Sequence, residues 1–323
     1  MPRRKKLTPL DPQYEEPTLF VPPPPIRFRK RAAVKKTPSH GIWTGNKAVL
    51  IERYLYYFVL VTKHGTYIDG FAGPQNPDNP ESWAASLVLN SEPPWLRHFH
   101  LCDKGPGQAS RLRALKRQYP ERDITIWPGD FNTSVSRGLD PKLIGPKEAT
   151  FCLLDQRMFE CDWATLETIA SSRTTGYKIE LFYFFPNWWF NRSLAAIKRD
   201  EIPRRWWGRD DWQALRRMAP WERARLVADR FQDELGYEYA EPWSIQEKPG
   251  GGRTMYFMIH ATDHPAAPSL MERAYEQACL PKEPISPVEL QLGYLARKKS
   301  ASRPRSDRRA VGPRSSTSSR PIA

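Results

Sequence analysis

The chain has 323 residues, 40% hydrophobic and 12% aromatic with twelve Trp, enough apolar area for one large folded core and too much for a wholly disordered chain. Its formal charge of +14 sits at the ends: residues 1–40 and 282–323 carry +7 each, and the 30 basic and 30 acidic residues between them cancel. A broad basic face on the folded part is therefore not expected, and no apolar run reaches the length of a membrane helix.

In chain order, residues 1–40 combine Arg3-Arg4-Lys5-Lys6 with Pro22-Pro23-Pro24-Pro25 and read as an irregular basic arm, with no apolar leader segment behind the first cluster. Lys47 to Lys63 then predicts a long helix, since Val49, Leu50, Tyr54, Tyr57, Phe58 and Val61 recur at three- and four-residue spacings. Five short apolar runs follow: Thr66–Asp69, His98–Cys102, Ile124–Trp127, Phe151–Leu154 and Ile179–Phe185. Helical stretches such as Gln108–Gln118 and Trp163–Ala170 lie between them, the rhythm of a parallel sheet with helical crossovers.

Residues 211–235 read as two helices broken near Pro220, inside a helical insertion of about 200–236. Trp243–Gln246 and Thr254–Ala261 flank Pro249-Gly250-Gly251-Gly252, the pattern of an antiparallel hairpin. The Ser/Arg/Pro-rich stretch 282–323 reads as a disordered basic tail. The expected fold of 41–281 is therefore α/β and Rossmann-like, of the class I methyltransferase kind: a mostly parallel seven-stranded sheet with a terminal antiparallel hairpin.

Cys102, Cys152, Cys161 and Cys279 are widely spaced, form no Cys-x-x-Cys pair and have no His at ligand spacing. They are expected to be reduced thiols, no metal site is expected, and the protein is expected to be soluble and cytoplasmic.

In open α/β sheets ligands bind beyond the carboxyl ends of the strands, and acids occur at four of those ends. Asp69 leads into Gly70-Phe71-Ala72-Gly73, a turn whose small residues admit a ligand to the backbone and whose acid can accept from an ammonium or hydroxyl. An ordinary strand-to-helix connection has the same look. Asp103, ending the second strand, is placed to accept from ribose hydroxyls. Asp130 and Phe131, after the third, are placed to meet an adenine amine and ring face. Both acids also read as helix caps. With S-adenosylmethionine as cofactor, Asp155 after the fourth strand would face the methyl group. Gln156 could add an amide, and Arg157 could hold an anionic group or pair with Asp155 or Glu160. The run Phe184–Arg192 leaves the fifth strand, and its Asn187, Trp188 and Arg192 are candidate substrate contacts able to stack a base; core packing explains the same residues. Trp206-Trp207 reads as a packing pair, and His260 and His264 as hydrogen-bonded structural histidines.

Over about 43–280 the chain resembles the three-Cys-motif partner proteins, TcmP. The marks are Lys47 and Tyr54, Tyr67-Ile68-Asp69-Gly70-Phe71-Ala72-Gly73-Pro74, Leu153-Leu154-Asp155 with Trp163-Ala164-Thr165, and Met258–Pro265. The resemblance implies a methyltransferase-like fold and a three-Cys-motif partner similar to radical S-adenosylmethionine enzymes. Relatives commonly follow the fourth-strand Asp with Pro, an aromatic and Gly; here Asp155-Gln156-Arg157-Met158 stands instead, which argues against adenine or cytosine N-methylation. The expected function is an S-adenosylmethionine-dependent methyltransferase of unknown acceptor. The alternative is a non-catalytic adaptor that binds the partner or nucleic acid, and the basic tails are further candidates for nucleic-acid contact.

Overall fold

The computed structural model describes residues 42–75, 82–127, 129–248 and 251–279. Both basic arms, and the Pro249-Gly250 part of the hairpin turn, lie outside the described residues. The helix expected from Lys47 runs as α1, Ile42–Thr62, with Leu50, Tyr54, Tyr57 and Phe58 buried as their spacing requires. After it come β1 (Gly65–Asp69), α2 (Ala84–Leu89), β2 (Leu96–Cys102), α3 (Gln108–Gln118), β3 (Asp123–Trp127), α4 (Phe131–Gly138), β4 (Thr150–Leu154), α5 (Trp163–Ser171) and β5 (Glu180–Pro186). The remainder is α6 (Phe190–Ala196), α7 (Glu201–Trp207), a 3-10 helix (Asp210–Arg217), α8 (Pro220–Asp233), β6 (Tyr239–Lys248), β7 (Gly251–Thr262) and α9 (Ala267–Cys279).

The seven strands form one sheet in the order β3-β2-β1-β4-β5-β7-β6. β1 pairs in parallel with both β2 and β4, and β7 runs antiparallel to β5 and β6. This is the Rossmann-like methyltransferase arrangement expected from the sequence. The chain reverses its direction of travel across the sheet between β1 and β4, so their carboxyl ends open a crevice there.

Side-chain alternation along the strands divides the core into two layers. On one face Tyr67, Phe151 and Phe182 pack among Tyr54 and Phe58 of α1 and His260 of β7. On the other, Ile68, Cys152, Leu181 and Phe185 join the residues of α4, α5, α7 and α8 in one apolar cluster. Trp206 and Trp207 are buried there, with Trp206 stacked on Phe185, so the tryptophan pair is the packing pair it was read as.

Two differences from the sequence reading concern the region after β5. Phe184–Arg192 is not one loop: β5 continues through Pro186, and Phe190 begins α6, which carries Arg192. The first of the two helices around Pro220 is a 3-10 segment, whereas α8 starts with Pro220 itself, where a missing N–H costs nothing, and Glu222 accepts from the Ala219 N–H at 2.8 Å.

Candidate functional site

The loop after β1 is tied to strands on both sides. Gly70 N–H donates to the Leu153 carbonyl of β4 at 3.0 Å, and Ala72 N–H to the Cys102 carbonyl of β2 at 2.7 Å. Phe71 N–H donates to Asp69 Oδ1 at 3.0 Å and Gly73 N–H to Asp103 Oδ2 at 2.9 Å. Every N–H from 70 to 73 therefore has an acceptor within the chain. Dinucleotide folds use free amides of this turn to cradle a pyrophosphate; residues 70–73 have none to offer.

Asp69 is buried, and its second oxygen accepts from the Tyr67 hydroxyl at 3.0 Å. Burial pushes its carboxyl up to about 7, and the nearby Asp155 acts in the same direction. Its oxygens face the turn and Tyr67, so Asp69 shapes the loop from beneath. Gly70 and Gly73 are where close approach requires glycine. A Cβ on Gly70 would lie 2.9 Å from the Phe131 ring, and one on Gly73 would lie 2.5 Å from Asp103 Oδ2.

Asp103 ties the loop to the start of α3, accepting from Gly73 N–H on one oxygen and from Gly105 N–H at 2.6 Å on the other. Each oxygen keeps a second lone pair, and the residue lines a cleft of about 350 Å³ with Phe71, Gly73, Gln75, Asp155 and Arg157. Asp130 caps α4, accepting from the Asn132 N–H at 3.0 Å, and pairs with Lys104 at 3.2 Å. Phe131, expected to offer a ring face to adenine, is buried and stacked on Trp127 with centroids 5.9 Å apart. That ring belongs to the core under Gly70.

At the end of β4 the three adjoining candidates have different surroundings. Asp155 Oδ2 forms an ion pair with Lys47 of α1, and Gln75 lies at 3.5 Å from the same oxygen. Asp155 Oδ1 is buried without a hydrogen-bond partner among the described residues, although its residue lines the cleft. Gln156 is fully buried: its Nε2 donates to the Phe184 carbonyl at 3.1 Å and its Oε1 accepts from Glu160 and Cys161 N–H at 2.9 and 2.8 Å. Its polar atoms shape the β4–α5 connection. Arg157 lines the cleft, and its backbone N–H is held by Glu160 Oε2 at 2.9 Å.

Lys47 had a place in the family pattern but no role in the site reading. Its ammonium lies over the rings of Phe184 and Tyr256, 5.9 and 5.5 Å from their centroids. The sequence signal was present: Lys47 falls three residues before Leu50 and seven before Tyr54, on the apolar face of the helix. A cation there is buried and needs a counter-charge.

Asn187, Trp188 and Arg192, the substrate candidates, are not among the residues that line this cleft. Asn187 Nδ2 donates to the Thr254 carbonyl at 2.6 Å; Trp188 is 46% exposed under Arg253; Arg192 is exposed on α6. His260 is buried against Glu180 at 3.2 Å, and His264 Nδ1 accepts from the Ala266 N–H at 3.2 Å, the structural parts expected of both. Cys102, Cys152 and Cys161 are buried free thiols raised above the ordinary thiol range by burial. Among the described residues no His/Cys/Asp/Glu group could hold a metal, and no helix is long and apolar enough to cross a membrane.

No protein-family model matches the sequence, and no curated protein matches it at a significant level. Among solved structures, M. jannaschii TYW2 in complex with AdoMet is 14% identical over 71% of this chain and 78% of its own, with a TM-score of 0.36. A Legionella pneumophila protein of 12% identity covers 72% of this chain and 91% of its own, with a TM-score of 0.42. The trans-methyltransferase CalH, in complex with SAH, is 13% identical over 68% and 57%, with a TM-score of 0.37. The strand order of the chain itself carries the fold.

Proposed function

We propose that the chain is an S-adenosylmethionine-dependent methyltransferase with its cofactor in the cleft between Gly73 and Asp155. The supporting observation is the division of polar groups around that cleft: the N–H groups of residues 70–73 are taken up within the chain, while Asp103 offers lone pairs and Asp155 a buried oxygen without a partner among the described residues. Such a lining suits hydroxyls and cations better than the phosphates of a dinucleotide.

When bound, S-adenosylmethionine supplies a methyl group on a sulfonium for in-line displacement. Asp103 would accept from the ribose hydroxyls, Gly73 would keep that approach open, and Asp155 Oδ1 would orient an acceptor N–H or O–H. Lys47 holds the other Asp155 oxygen in place. The test is calorimetric titration with S-adenosylhomocysteine of wild type and Gly73→Ala. The added methyl meets Asp103 and Gln108 at 2.5–2.6 Å and must displace the ribose acceptor, so affinity should fall at least ~10-fold, or ~1.4 kcal/mol. Wild-type affinity in Gly73→Ala would remove the cofactor from this cleft, and no binding by wild type would leave a non-catalytic adaptor as the better reading.

We further propose a three-Cys-motif protein as the working partner. The support is the sequence pattern alone, Lys47, Tyr54, Tyr67–Pro74, Leu153–Asp155 and Met258–Pro265. Co-expression with such a protein should give a complex that survives size exclusion, and consistent separation of the two would refute it.

A further inference from the structure

Helix α8 carries two buried arginines whose surroundings differ. Arg230, 3% exposed, is neutralised by Glu234, with Nη2 donating at 2.8 Å. Its guanidinium lies 3.6 and 4.1 Å from the rings of Trp163 and Trp207. Arg223, 5% exposed, meets only neutral amide oxygens among the described residues: Nη1 donates to Asn191 Oδ1 at 3.4 Å and Nη2 to Asn187 Oδ1 at 3.3 Å. Its Nε has no partner among the described residues. Burial lowers its basicity, with no carboxylate acting in the other direction. A guanidinium desolvated without a counter-charge is costly, and both amide contacts are long for hydrogen bonds.

The position of this cation gives the cost a reason. Asn187 directly follows Pro186, the last residue of β5, and Asn191 lies in the first turn of α6. α8 therefore brings Arg223 to the carboxyl end of β5, the strand next to β4, whose end carries Asp155. Phe190 backs the guanidinium, 4.5 Å from its ring centroid. Beside it Trp188 is 46% exposed, with the Arg253 guanidinium 3.6 Å from its ring centroid, and Arg192 is exposed on α6. A desolvated cation lacking an anion among the described residues, held by a segment that also carries an exposed indole and a further arginine, matches the pairing of phosphate and base in a nucleic-acid strand.

We propose that Arg223, held in place by the amide oxygens of Asn187 and Asn191, forms a phosphate socket through its remaining N–H groups, and that the methyl acceptor is a nucleic-acid strand whose phosphate enters it while a base stacks on Trp188. The word acceptor rests on the methyltransferase reading; the socket does not.

The test uses the full chain saturated with S-adenosylhomocysteine, titrated with inorganic phosphate, thymidine 5′-monophosphate and a single-stranded thymidine hexanucleotide. Wild type, Arg223→Met and Trp188→Ala are compared; the basic arms are common to all three and cancel in the ratios. The hexanucleotide should bind at least ~10-fold more weakly to Arg223→Met, and the slope of log K against log salt should shrink by about 0.7. Trp188→Ala should also weaken it, and the melting temperature of Arg223→Met should hold or rise because an uncompensated buried charge has been removed. Equal hexanucleotide affinity in Arg223→Met, or a fall in its melting temperature, would overturn the socket. Equal affinity for the monophosphate and the hexanucleotide would overturn the strand. Failure of wild type to bind S-adenosylhomocysteine would instead overturn the methyltransferase reading, and the Arg223 comparison would still decide the socket.

Discussion

Replacing Lys47 by Met takes the cation away from the rings of Phe184 and Tyr256 and leaves Asp155, whose side chain is 12% exposed, without its ion pair. Lys47 itself is 4% exposed, so water does not take over its role. Breaking a buried pair from one side costs ~3–5 kcal/mol, because the surviving charge is stranded. In a fold of this size that lowers the melting temperature by roughly 10 °C. Urea denaturation followed by circular dichroism measures it, with an unchanged slope showing that the unfolding reaction is the same. Adding Asp155→Asn removes the stranded charge, so the double variant should return to within about 1–2 kcal/mol of wild type. A loss below ~1 kcal/mol in Lys47→Met, or strict additivity in the double variant, would refute the pairing as the reason Lys47 is buried.

Asp69 gives a pH signature. Its carboxyl is raised from 3.8 to about 7 by burial, so the fold favours the protonated form; its contribution is complete below pH ~4 and lost as pH rises through about 7. Asp69→Asn should therefore gain stability relative to wild type between pH 5 and 8, by up to ~3 kcal/mol, and a gap equal at both pH values in chemical denaturation would contradict this. Arg230→Met should behave oppositely to Arg223→Met: Glu234 keeps its pair with Arg209 at 2.7 Å, but the Trp207 carbonyl loses its buried donor and the contact with Trp163 and Trp207 is emptied, at a cost of ~1–3 kcal/mol in the same denaturation experiment. A neutral or stabilising effect would contradict this assignment.

The sheet and its ends are legible in the order and lengths of the apolar runs. Apolar runs at β1 to β5, separated by amphipathic stretches, leave few ways to bury both faces, and the hairpin signal at 243–261 closes the sheet with β6 and β7. The acids at 69, 103, 130 and 155 fall at those strand ends because ends follow from the lengths of the runs. Where each carboxylate points was decided by tertiary structure alone. Asp69 turns to Tyr67 and Phe71, Asp130 caps α4, Gln156 serves the β4–α5 connection, and Phe131 packs on Trp127. Identical residue types at equivalent positions thus take different parts, since a buried polar atom takes whatever partner the packing leaves within 3 Å. The Lys47–Asp155 pair and the Arg223 socket each join residues distant in the chain. Strand order and helix placement bring them together, and no local periodicity encodes that meeting.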